Sequence, residues 1–410
     1  MATQNPLDGD VQKRRKQAVK ERLKFGNLPL RHRLGAYGFV MLGLLPVILQ
    51  PSELLNFTYV LFLMMFAISW DVVSGYTGQL SFGHAFFFAL GGYGTAVITT
   101  QHNMPIFVGI AGATLLAAIG GVLIGVPALR LDGPYLSLVT LIAPLLLFQM
   151  FVLFSEGLPL LAPQGLGGTG GLTVQPPQLV SIGDGAFITV ETTMMESLGR
   201  YYAAFIALLI VFGVCYAVTR SSAGSVFTAI REDEDAVRSA GLNPAKFKIF
   251  AFVLAGAVGG FAAAVWMHVG PFGYPNTENL FGPGKIDLSI EVIVMAILGG
   301  MGTIVGAVVG ALLFAATTAL VGWLDFTIPV LGLEFSALSP LPEFLLAMLT
   351  LVFMPEGVVP RNIKDGRKLL ARYRGEAPPE PADADGRSAS ESVVSKYRDE
   401  IEEIIGGDNR

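Results

Sequence analysis

Three glycines, Gly75, Gly78 and Gly83, interrupt an apolar stretch of this chain, and Gln79, Ser81 and His84 stand among them. Glycine permits a broken or re-entrant segment. The backbone groups that such a break frees are tolerated inside a membrane only where they are buried in protein or line a wet cavity. Polar side chains beside the break are therefore candidates to line a solute pathway. The alternative is that Gln79 and Ser81 only hydrogen-bond neighbouring helices. A second cluster, Gly299, Gly300 and Gly302, would be its symmetric counterpart. The other ionisable residues set in apolar sequence are Asp71, His268, Asp287 and Glu291. A charge is costly in lipid, so each is expected to face protein or water. A proton relay needs titratable groups spaced across the bilayer. His84 with Glu291 would make one, but Asp71, His268 and Asp287 fall near span ends, where structural or lining roles compete.

Other chemistry is missing from the sequence. GPGK at Gly282–Lys285 lacks the first glycine and the following Ser or Thr of a G-x-x-x-x-G-K-S/T phosphate loop, so the chain cannot by itself hydrolyse ATP. No H-E-x-x-H or exposed nucleophile motif occurs, which argues against a membrane enzyme. The single cysteine, Cys215, lies in an apolar run, giving neither a disulfide framework nor a Cys-based metal site. No metal, cofactor or nucleic acid is expected on this chain.

The longest charged stretch between the two ends is RSSAGSVFTAIREDEDAVRSAGLNPAKFKIF, residues 220–250. Ser221 or Ser222 can cap a helix N-terminus. Val226, Ala229, Ile230, Ala236, Val237 and Ala240 then fall mostly on one face, with Arg231, Glu232, Glu234, Asp235 and Arg238 mostly elsewhere. Gly241 stops the helix, and Asn243 caps the next one with Pro244 in its first turn. Lys246 and Lys248 are expected at the water edge. A soluble helix between membrane spans needs a partner outside the bilayer, so this is a docking element. Its apolar face and the Arg231/Glu232 pair are the expected contact.

These elements sit in a membrane chain. Of 410 residues, 14% are charged and 52% hydrophobic, where a soluble domain carries about 25% charged. The mean hydropathy is +0.59. The 49 glycines suit close helix packing, as do Gly302-x3-Gly306-x3-Gly310 and Gly256-x3-Gly260. Apolar runs long enough to cross a ~30 Å core number about ten: 34–50, 54–73, 84–101, 105–127, 134–154, 200–219, 246–268, 286–303, 304–322 and 340–355. Residues 1–33 form a basic segment without the order of a cleaved signal. Arg130, the 220–248 loop and the basic residues Arg361 to Arg374 fall on the same side as that segment. The positive-inside rule therefore places both termini in the cytoplasm of an inner-membrane protein. The transmembrane region is 34–357, with a Gly- and Pro-rich outside loop at 155–199 that either meets an extracytoplasmic partner or is a passive connection. The cytoplasmic tail is 358–410, largely of disordered composition after Arg374, with a short helix possible at 392–405.

LSFGHAFFFALGGYGT (Leu80–Thr95) aligns without gaps onto LSIEVIVMAILGGMGT (Leu288–Thr303). The copies would lie on the third and eighth spans, which run in opposite directions. The expected fold is all-α and polytopic, about ten transmembrane helices in two inverted five-helix repeats with a cytoplasmic coupling helix.

AIREDEDAVRSAGLNPAKFKIFAFVLAG resembles the coupling loop of the LivM-type permeases, membrane subunits of ABC importers for branched-chain amino acids. Ala229, Ile230, Arg231, Glu232, Glu234, Ala236, Gly241 and Asn243 match its pattern, and Ser225 begins the segment expected to move. GYTGQLSFGHAFFFALGGY (Gly75–Tyr93) and LRLDGPYLSLVTL (Leu129–Leu141) resemble two further family hallmarks. The resemblance covers about residues 35–357 and implies the partners. These are a paralogous permease subunit forming a heterodimer, two ATPase subunits that hold the ATP and magnesium, an extracytoplasmic solute-binding protein, and membrane lipid. Within the family, importers of urea and short amides have similar permeases. A stand-alone proton-coupled transporter is the rival outside it, and leaves the 225–240 helix unexplained.

Overall fold

The computed structural model describes residues 30–128, 134–172, 174–182, 186–270, 275–276, 280–281, 287–324, 327–328, 333–334 and 341–374. The basic segment up to residue 29, Arg130 with the first residues of the third hallmark, and the tail after residue 374 with its possible helix lie outside these. Chain contacts define two units, one through Pro360 and one from Arg361 on.

The described elements are helical, with two short strand pairs. In order they are α1 (Leu30–Leu44), α2 (Pro51–Trp70), α3 (Ala85–Thr100), α4 (Ile106–Ala128), α5 (Pro134–Leu153), α6 (Thr193–Thr219), α7 (Ser222–Glu232), α8 (Glu234–Ser239), α9 (Pro244–Val269), α10 (Asp287–Gly299), α11 (Ile304–Trp323), α12 (Leu341–Phe353) and α13 (Val358–Arg374). Each of the expected apolar runs falls on one of these helices. Six helices are long and apolar enough to cross a membrane, or up to seven if a bent segment starting at Phe344 is counted as one span. The helices that fall short include α3, of 16 residues, and α10, of 13. Each borders a glycine cluster, α3 following the Gly75–Gly83 segment and α10 folding back on α11 at Gly299–Gly302.

The start of α2 is fixed by Pro51 in its first turn and by the Gln50 N–H donating to Glu53 Oε2 at 2.9 Å. It is the central post of the larger unit: 89% of its apolar window is buried, against 28% for α6, whose outer face is left for lipid. Small residues let α3, α4 and α9 approach backbone to backbone. A β-carbon on Gly91 would lie 2.1 Å from the Gly260 carbonyl oxygen, and one on Gly260 would lie 2.2 Å from Ala117 Cβ. The same holds between α10 and α11, where a β-carbon on Gly310 would meet the Met295 carbonyl oxygen at 1.8 Å.

Four expectations are corrected. The helix expected over 222–240 is two helices, because Asp233 is extended (φ −157°, ψ 103°) and its Oδ1 caps α8 by accepting from Ala236 N–H at 2.9 Å. Lys248 is not at the water edge but buried, ion-paired with Glu234. The outside loop ends before residue 199, since α6 begins at Thr193, capped by Thr192. The aligned stretches Leu80–Thr95 and Leu288–Thr303 also differ locally: the first ends inside α3 and the second ends in the break between α10 and α11. Asn243 stands at the N-cap of α9 without a side-chain bond to it.

The outside loop is tied down. Its β1 (Val180–Ile182) and β2 (Ile188–Val190) pair in parallel. Leu179 N–H donates to the His268 carbonyl at 2.8 Å, and Gln101 Nε2 donates to the Gly165 carbonyl at 2.8 Å.

Candidate functional site

α2 does not end at Trp70. It widens into a π-helical turn over Asp71–Gly75, in which Tyr76 N–H reaches back to the Asp71 carbonyl. The chain then turns at Gly78 (φ +73°) and runs without helix to His84, where α3 begins. Side chains of other helices satisfy this open backbone. Ser74 Oγ donates to the Gln79 carbonyl at 3.0 Å and accepts from Ser81 N–H at 3.1 Å. Trp70 Nε1 donates to the Ser81 carbonyl at 2.7 Å. From α5, Ser137 Oγ donates to the Leu80 carbonyl at 2.9 Å, and Thr140 Oγ1 accepts from Phe82 N–H at 3.0 Å. From α10, Ser289 Oγ accepts from Ala85 N–H at 2.8 Å.

The second glycine cluster is a break too. α10 ends at Gly299, Gly300 and Gly302 adopt positive φ (+113° and +77°), and Thr303 caps α11 by accepting from Gly306 N–H at 3.1 Å. The two breaks meet. Asp71, fully buried, accepts from Gly302 N–H through Oδ1 at 2.7 Å. Gly75 has to be glycine, because a β-carbon there would lie 1.9 Å from Asp71 Oδ1 and 2.5 Å from Gly302 N. Above this crossing stands Arg231 of α7, whose Nη1 donates to the Gly75 carbonyl at 2.8 Å and whose Nη2 reaches Glu232 at 3.2 Å.

A cavity of about 340 Å³ opens at the crossing, with Gly75, Gly78, Arg231, Met301, Leu351 and Glu356 among its lining. A groove of about 650 Å³ runs along Gly78, Gln79, Leu80 and Phe82 on one side and Leu136–Leu141 of α5 on the other. The structure thus brings Gly75, Gly78, Gln79, Gly300, Gly302 and Arg231 to one place. Ser81, Gly83 and His84 are buried in the wall behind it.

Ser69 Oγ donates to the Ala255 carbonyl at 2.7 Å, so His84 donates to Ser69 from Nε2, 2.7 Å away. Its Nδ1 has no hydrogen-bond partner. His268 donates from Nδ1 to the Pro177 carbonyl at 2.7 Å and accepts from Thr95 Oγ1 at 2.8 Å, holding the outside loop. No group of three or more His, Cys, Asp or Glu that could hold a metal ion occurs among the described residues.

Of the expected apolar face of α7 and α8, Ala229, Ala236 and Ala240 stay exposed and only the larger side chains turn inward. Phe227 is fully buried and packs with Val73 of the π turn, Phe87, Ala251 and Phe252, while Ile230 and Val237 are buried as well. Ser225, Ala229, Glu232, Asp235 and Ala236 remain exposed. Sequence reasoning named Asp71 only for a structural or lining role near a span end, and missed Ser74. The available signal was an acidic residue one helical turn before Gly75.

The family model for the branched-chain amino acid transport system / permease component matches residues 54–354. The chain belongs to this family. The chain is similar to the high-affinity branched-chain amino acid transport system permease protein LivM of Escherichia coli K12, with 26% identity over 325 residues, 74% of this chain and 69% of that one. LivM of Salmonella typhimurium LT2 is 26% identical over 341 residues, 78% and 72% of the two chains. A probable branched-chain amino acid transport permease protein LivH of Methanocaldococcus jannaschii is 20% identical over 171 residues, 42% of this chain and 51% of that one. No solved structure matches the chain significantly. As a permease component the chain is a multi-pass membrane transport subunit and not an enzyme, and the matched region holds both glycine breaks and the loop between them.

Proposed function

We propose that this chain is the transmembrane subunit of an ATP-binding cassette importer and forms the pathway for branched-chain amino acids handed over by a binding protein outside. ATP and magnesium belong to two partner ATPase subunits, and a paralogous permease completes a heterodimer. In this reading residues 34–357 span the inner membrane about ten times, both termini are cytoplasmic, and the 220–248 loop meets the ATPases. The exposed Ser225, Ala229, Glu232 and Ala236 are the contact, while Phe227, Ile230 and Val237 are buried against the chain itself.

The observation that carries the reading is the bond from Arg231 to Gly75. It joins a soluble helix pair, which needs an outside partner, to a break in the membrane region, which needs a wet cavity. Helix packing supports the inverted repeat with α2 matched to α9, α3 to α10 and α4 to α11. α2 packs on α10 and α11 as α9 packs on α3 and α4.

The test is uptake of labelled leucine and labelled urea by a strain lacking this gene, before and after ATP depletion. Loss of ATP-dependent leucine uptake alone is expected. Loss of urea uptake alone moves the solute and keeps the architecture. Uptake that survives ATP depletion and follows the proton gradient would overturn the importer.

A further inference from the structure

Four groups from three distant parts of the chain converge where the two breaks cross. Asp71 Oδ1 holds Gly302 N–H at 2.7 Å, and Arg231 Nη1 holds the Gly75 carbonyl at 2.8 Å. The guanidinium also lies over Gly302, since a β-carbon there would come within 2.4 Å of Nη1. Asp71 is fully buried, and its second oxygen has no hydrogen-bond partner. Arg231 is the cation whose field reaches it.

A buried carboxyl group held by backbone N–H donors and one nearby cation is sensitive to the loss of either, because an uncompensated buried charge is strongly unfavourable. Gly75 and Gly302 cannot hold each other by side chains, as they have none. What fixes one break against the other is Asp71. What fixes both to α7 is Arg231, whose helix is rooted beside them through Phe227 and Val73.

We propose that Asp71 and Arg231 are positioning residues for transport, a clasp through which displacement of α7 and α8 is passed to the crossing of the two broken helices. Arg231 pulls on the Gly75 carbonyl, and Asp71 makes the α10–α11 break follow the α2–α3 break. When α7 withdraws, the Arg231 bond opens first and Asp71 loses its counter-cation. The Gly75–Gly302 contact then parts, widening the cavity whose lining includes Met301 and Glu356. Arg231 therefore acts inward on the pathway, and the ATPase contact falls to its exposed neighbours.

This inference rests on the importer reading, and the experiment separates the two. The full complex with its ATPase and binding-protein partners is reconstituted in liposomes, and leucine uptake per ATP hydrolysed is measured for wild type, Asp71→Asn, Arg231→Ala and Arg231→Lys. Labelling of a Met301→Cys reporter by a maleimide, with and without ATP, is followed in the same proteins; native Cys215 is buried. Uptake per ATP should fall about tenfold in Asp71→Asn and Arg231→Ala, as expected for losing a charged hydrogen bond. Arg231→Lys, which keeps a cation within reach, should recover part of it. The ATP-dependent change in Met301→Cys labelling should vanish with the coupling. Wild-type coupling and labelling in Asp71→Asn, which lies away from the docking surface, would overturn the clasp. A wild-type complex without ATP-driven uptake would overturn the importer reading, and the clasp with it.

Discussion

Gly83 lies where α5 crosses the first break, and a β-carbon there would come within 1.6 Å of the Thr140 carbonyl oxygen. Backbone cannot give way as a flexible side chain can, so Gly83→Ala should cost ~3 kcal/mol or more, in the range of severe overpacking. Gly35 has nothing within 4 Å and serves as the control. Thermal unfolding in detergent should show a lowered Tm for Gly83→Ala and little change for Gly35→Ala. Equal Tm values would mean that α5 does not press on the break. At this scale the sequence was informative about residue type and uninformative about partner. Gly75, Gly78 and Gly302 announced breaks by being glycines in apolar sequence. Nothing local told that Gly75 would sit under Arg231, 156 residues away, or that Asp71 would hold Gly302 across 231 residues.

Helices α7 and α8 show the same limit for elements. Periodicity gave an amphipathic helix with correct outer bounds, because Ser221 caps its start and Gly241 (φ +82°) ends it. It did not give the break at Asp233, a residue that competes for backbone donors as a cap. Nor did it give the direction in which the apolar face points, because the pattern is the same whether a partner or the chain itself covers that face. One face of the pair is buried and the other exposed, and substitutions should separate them. Phe227→Ala removes a fully buried ring and should destabilise the protein by ~3–5 kcal/mol. Ala236→Arg, on an exposed position, should leave the Tm within about 1 °C, a near-neutral surface change, while abolishing solute-stimulated ATP hydrolysis. Measuring both properties on both variants checks the assignment. Stimulated hydrolysis unchanged in Ala236→Arg would remove this surface from the ATPase contact.

For the molecule as a whole, the sequence was most readable where physics acts locally. Apolar length put every expected run on a helix, and the glycine spacing of Gly256-x3-Gly260 and Gly306-x3-Gly310 marked where helices touch. The internal sequence similarity did not carry over to local conformation. Leu80–Thr95 and Leu288–Thr303 align in sequence, yet the breaks that meet in space, around Gly75 and around Gly302, do not fall on matching positions. Glycine-rich apolar sequence satisfies packing in several registers, so a match of letters does not fix a match of conformation.

One helix joins the two faces of the membrane region. α9 begins immediately after the α7–α8 pair and ends at Val269, beside the point where Leu179 of the outside loop bonds the His268 carbonyl. Its 26 residues make a rod, ~39 Å long, so a tilt of ~5° about its middle carries each end ~2 Å in opposite directions. Spin labels at Ser225→Cys and Ser181→Cys should therefore shift together on ATP binding, and a moving inner label with a stationary outer one would show a bending helix instead. If the rod holds, α9 works as a see-saw: the same stroke that draws in the end beside α8 swings out the end beside Leu179, and the two ends are kept out of phase by stiffness alone.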